Sequence, residues 1–178
     1  MPEGVWEAVA MIGSNTRDYR ADIGENLYRR SMYTFWKRSA PPASMEIFNA
    51  PNRETCTVRR ERTNTPLQAL VTLNDVQFVE AARVLAQKAI LEGGATDDGR
   101  LNLMTKRLFS RELKPAEREV VLASLLELSS HYKTRQADAK KLIGVGDSKA
   151  DPKIAPDLLA SWTMVANSLM NLDEYLCK

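Results

Sequence analysis

Three arginines within four positions, Arg59, Arg60 and Arg62, stand immediately before Asn64-Thr65-Pro66, and Gln68 follows. Guanidinium groups are planar forks of donors that match sulfate, phosphate and carboxylate. A helix N-terminus adds free amides and the positive end of its dipole. In an extended segment Arg60 and Arg62 project to one face while Arg59 and Glu61 project to the other. This pattern points to an anion site made of Arg59, Arg60, Arg62, Thr65 and Gln68. The same arginines admit a structural reading, in which they pair with Glu54, Glu61 or a carboxylate of the last helix and pin the preceding loop.

A second constellation lies in NLYRRSMYTFWKR, where Tyr28, Tyr33, Phe35 and Trp36 interleave with Arg29, Arg30, Lys37 and Arg38. Rings stack on sugars and bases, and guanidinium groups donate hydrogen bonds. Arg29, Arg30, Tyr33 and Trp36 are therefore a candidate ligand platform. At helical spacing the same pattern also makes a core stripe with a solvated basic face.

No pattern in the chain spells a catalytic residue, and whether it is an enzyme stays open. His131 is the only histidine and sits beside the apolar stripe of its helix. Asp97-Asp98 suits a helix N-terminus, and Asp173-Glu174 lies near the chain end. Gly144-Val145-Gly146 lacks the third glycine and the preceding strand of a dinucleotide fingerprint, and reads as a helix stop. Cys56 reads as a buried small hydrophobe, with no neighbouring histidine to activate it. Cys56 and Cys177 fall in neither CxxC nor CxxCH, so the chain is expected to hold no metal and no haem of its own.

The elements that must position these residues read as helices. At 178 residues one domain is the expectation. Apolar residues at 44% and charged residues at 27% fit a folded globular chain. A net charge of +2 is too small to suggest nucleic-acid binding, although Arg29 to Arg62 carries eight basic residues against three acidic ones. No run reaches the roughly 20 apolar residues that span a bilayer. Helices are expected over Val5–Ile12 and Leu27–Lys37, the latter with Tyr28, Met32 and Phe35 on one stripe. A long irregular Pro-containing segment follows at about 40–65, with a short extended piece at Thr55–Val58. Thr65, Pro66 and Gln68 open the next helix as a capping box, which Asn74-Asp75 interrupts. Further helices are expected over Val76–Glu92, Asp98–Ser110, Pro115–Tyr132, Gln136–Ile143 and Asp157–Leu172, from apolar positions recurring at helical spacing. The sum is an all-α, single helical domain over 1–178, with about six principal helices.

The strings YRRS-YTFWKR, APNRE-C-VRR and RTNTPLQAL, with the terminal SWTMVANSLMNLDEYL, identify a likeness. The chain resembles the planctomycete-specific C-terminal domain of unknown function, over essentially its whole length. That domain closes large exported proteins that also carry a planctomycete-type cytochrome c module. The resemblance implies an extracytoplasmic (periplasmic or secreted) setting and a non-catalytic structural or interaction role beside other domains of the same protein. Haem c would then belong to a separate module. It also admits a glycan-acting enzyme or binder that recognises acidic polysaccharide through the Arg-rich segment. The chain reads as an N-terminally truncated fragment of that domain. Relatives often carry Asp where this sequence has Asn49, so a carboxylate role is not expected there.

Overall fold

A computed structural model describes residues 4–176, and Cys177 lies outside them. It is all-α, with no strand among the described residues. The chain divides into two compact units, residues 1–63 and 64–178.

The first unit is built from short pieces. Helix α1 (Val5–Ala8) is one turn long, shorter than the expected Val5–Ile12. The expected helix over Leu27–Lys37 is absent, and two 3₁₀ turns, Gly24–Tyr28 and Ser31–Tyr33, take its place. Most helical stability comes from burying an apolar face. Tyr28, Met32 and Phe35 bury none, remaining 58%, 68% and 56% exposed. Neither turn has a side-chain cap. Inside the expected irregular segment, α2 (Ala43–Ile47) forms directly after Pro41-Pro42, whose fixed φ suits a helix start. Thr55–Val58 joins no ladder.

What orders this unit is Trp6, the buried side chain of α1. Tyr19 meets its indole edge-on at 5.1 Å and Phe35 lies tilted at 5.5 Å. Lys37 Nζ donates to the carbonyls of Trp6 (3.1 Å) and Thr16 (2.9 Å) and sits 4.9 Å from the indole centroid. The buried ammonium is thus held by two carbonyl oxygens and a ring face.

The second unit contains α3 (Pro66–Asn74), α4 (Val76–Glu92), α5 (Asp97–Phe109), α6 (Pro115–Thr134), α7 (Gln136–Ile143), α8 (Pro156–Met170) and α9 (Asp173–Leu176). Helix α8 is the hub, packing against α3 to α7 and α9. It is buried almost all round, as a central helix must be. Two of its inward polar residues are satisfied locally: Ser161 Oγ donates to Asp157 O and Thr163 Oγ1 to Leu159 O, each at 2.7 Å. Ala82, Ala86 and Ala89 of α4 are fully buried in the core that holds Trp162. These small side chains let the two axes approach. Leu101 and Met104 of α5, and Leu125 of α6, complete the core, with Val121 and Leu128 half-buried beside it.

Candidate functional site

In the first unit Arg59, Arg60 and Arg62 are all exposed. Among the described residues none of the three makes an ion pair: Glu54 lies 3.6 Å from Arg38 instead. Their backbone is nevertheless pinned. Asn49 adopts a positive φ of 54° and its Nδ2 donates to Glu61 O (3.3 Å) and to Thr63 Oγ1 (2.7 Å), on either side of Arg62. An amide can donate to that carbonyl and a carboxylate cannot, so Asn rather than Asp at position 49 has a structural consequence. The result is a fixed ridge bearing three unpaired guanidinium groups.

Thr65 and Gln68 belong to the second unit, where they close the expected capping box on α3. Gln68 N donates to Thr65 Oγ1 (3.3 Å) and Thr65 N to Gln68 Oε1 (3.0 Å). Pro66 has no N–H, so the cap leaves Leu67 as the first-turn amide outside this reciprocal pair.

The ligand-platform residues separate into two groups. Arg29, Arg30 and Tyr33 are exposed, while Trp36 is half-buried. The guanidinium over the Trp36 ring belongs to Arg53, 5.3 Å from the centroid. Arg53 has φ 64° and donates to Thr34 O (3.2 Å) and Ser31 O (3.3 Å), binding the second 3₁₀ turn. Sequence reasoning missed Arg53. Its signal was Asn52, whose Oδ1 accepts from Glu54 N and Thr55 N, a side-chain turn that reverses the chain there. Cys56, expected to be buried, is exposed and free, because this loop has no helix to bury it against.

The second unit hides a polar cluster that apolar periodicity could not reveal. Helix α4 buries Glu80 and Arg83 as well as its alanines. Glu80 accepts from the backbone of Asp147 (3.1 Å) and Ser148 (2.8 Å) and from the Ser148 hydroxyl. Arg83 Nη2 donates to Ser148 O (2.7 Å) and lies 3.7 Å from Glu80. Gln87 Oε1 accepts from Asp151 N (3.0 Å). Three residues spread over two turns of α4 thus grip the loop between α7 and α8. The adjacent carboxylates Asp97-Asp98 and Asp173-Glu174 are likewise occupied. Asp98 accepts from Arg118 (2.7 Å), which holds its carboxyl below the usual range. Asp97 pairs with Arg100. Arg111 binds Glu117 and Glu174 together. His131 is exposed and meets Tyr132 edge-on.

Helix α3 is inverted in polarity. Gln68 and Thr72 face inward, and Thr72 lies on α8's end, with its hydroxyl 2.8 Å from Asn171 Oδ1 and its carbonyl 3.0 Å from Asn167 Nδ2. Leu67, Leu70 and Leu73 face outward at 60%, 57% and 40% exposure. Polar groups anchor this helix and apolar ones are displayed.

Among the described residues no group of three or more His, Cys, Asp or Glu side chains is placed to hold a metal ion, and no helix is long and apolar enough to cross a membrane. The class defined by these features is an all-helical domain whose buried polar groups fasten loops. The chain belongs to the family described as PSD1, protein of unknown function (DUF1553), whose model matches residues 5–125. No curated protein and no solved structure matches it.

Proposed function

We propose that this chain is a non-catalytic interaction domain that completes a larger exported protein by packing against its other domains. The observation that carries this reading is α3. Leu67, Leu70 and Leu73 form one exposed apolar face on a helix without a single charged residue. Contiguous apolar surface of this kind marks a contact face, and Thr72 holds it in place from behind through Asn171 and Asn167. The longer protein, of planctomycete type, carries any haem c in a separate module, and this domain contributes surface rather than chemistry.

A second reading rests on the exposed arginine ridge. Arg59, Arg60 and Arg62, set on a backbone pinned by Asn49, suit the sulfate or uronate groups of an acidic polysaccharide. One experiment addresses both: side-chain footprinting of the isolated chain, of the longer protein, and of the isolated chain with chondroitin sulfate. The interaction reading expects Leu67, Leu70 and Leu73 to lose most of their labelling in the longer protein. Equal labelling in both forms defeats it. The second reading expects the polysaccharide to protect Arg59, Arg60 and Arg62 in a salt-dependent manner, and fails if it leaves them untouched.

A further inference from the structure

The aromatic cluster of the first unit opens into a cavity of 370 Å³ lined by Trp6, Asn15, Thr16, Asp18, Arg20 and Phe35. Its volume falls in the range of small-molecule sites, at roughly 300–1,000 Å³. Two features of its wall point to a ligand. First, the side chains of Asn15, Asp18 and Arg20 have no hydrogen-bond or ion-pair partner among the described residues. A carboxylate and a guanidinium that line one cavity without pairing are free to serve a third party that both donates and accepts. Secondly, Phe35 is 56% exposed although its ring packs on Trp6, so an aromatic surface is presented beside the polar groups. The wall is held firmly, since Lys37 Nζ ties the carbonyls of Trp6 and Thr16 together from within.

We propose that this cavity is a binding site for a pyranose sugar unit. A pyranose carries an apolar C–H face, which suits the Phe35 ring, and a rim of hydroxyl groups that each donate and accept. Asp18 accepts from such hydroxyls, Asn15 both donates and accepts, and Arg20 donates. Arg20 takes either a ring hydroxyl or the carboxylate of a uronic acid, the shared feature being the polyhydroxylated ring. The site shares no residue with the arginine ridge and does not depend on that reading. Free amino acids are the competing ligand, because an ammonium and a carboxylate also satisfy Asp18 and Arg20.

The test is titration of the ¹⁵N-labelled chain with methyl hexopyranosides, neutral oligosaccharides, galacturonic acid oligomers and glycine, following the Trp6 indole and Asn15 side-chain resonances. Saturable shifts of both resonances with a sugar are expected. Asp18→Asn and Arg20→Gln should each weaken that binding about tenfold or more. Both residues are exposed and unpartnered, so the circular dichroism spectrum and melting temperature should not change. Arg59→Gln, Arg60→Gln and Arg62→Gln together should leave the sugar affinity unaltered. The proposal is overturned if no sugar shifts these resonances at millimolar concentration, if glycine saturates them where sugars do not, or if sugar binding is indifferent to Asp18 and Arg20.

Discussion

Arg111 divides its guanidinium between two carboxylates. Glu117 takes Nη1 and Nη2 at 2.8 and 3.2 Å, and Glu174 takes Nε and Nη2 at 3.1 and 2.7 Å. Glu117 also accepts from Lys114 N at 2.8 Å. The Arg111 bonds, followed by the Lys114 amide, pull its carboxyl from 4.5 to about 2. A carboxyl with a depressed folded value contributes stability above its unfolded value and loses it as pH falls through the folded one. The Glu117–Arg111 half of this clamp should therefore be intact above pH 4.5 and lost as the pH drops towards 2. Thermal melting across that range should show a loss of stability on acidification that Glu117→Gln makes smaller. An equal loss in the variant would refute the assignment. All three side chains are partly exposed, so added salt should shrink the effect. Spacing along the sequence identified Asp173-Glu174 only as adjacent carboxylates near a chain end. The partner of Glu174 stands 63 positions away, and local pattern carries no information about pairing at that range.

Elements were legible where an apolar stripe met a chemical stop. Helix α7 has the expected bounds, and α3 begins at the expected capping box and ends at Asn74. Leu27–Lys37 failed because periodicity records only that a stripe is available, and here Tyr28, Met32 and Phe35 stay more than half exposed. Arg83 and Glu80 were invisible for the converse reason, being charged residues on a buried face. Their loop makes a sharp demand on Gly146, whose φ is 97° and whose absent Cβ would collide with the Glu80 carboxylate. Gly94 has φ 86° with nothing within 4 Å. Gly94→Ala should then cost roughly 1 kcal/mol from backbone strain alone. Gly146→Ala adds a collision with the buried carboxylate and should cost about 2–4 kcal/mol. Thermal denaturation of the two variants decides the order. Equal losses would mean that the Glu80 grip on this loop is loose.

At the scale of the molecule, the all-α class followed from composition and helical spacing, while the division at residue 63 carried no signal beyond prolines and a long loop. The first unit lacks long helices because its apolar residues are scattered among polar ones. The second has them because α8 offers one wall to all its neighbours. That arrangement bears on where the chain can be cut. The family match ends at residue 125, in the middle of α6, whereas the helix on which α4 closes spans Pro156–Met170. A polypeptide trimmed to the matched region would keep Ala82, Ala86, Ala89, Leu101 and Met104 and lose Trp162, Val165 and Leu169 that cover them. Residues 1–125 should accumulate in inclusion bodies or bind a hydrophobic dye, whereas 64–178 should stay in solution and melt in one cooperative step. A well-dispersed, cooperatively melting 1–125 fragment would show that α8 is dispensable. Trimming this chain to its matched residues is expected to discard the hub and leave a sticky remnant.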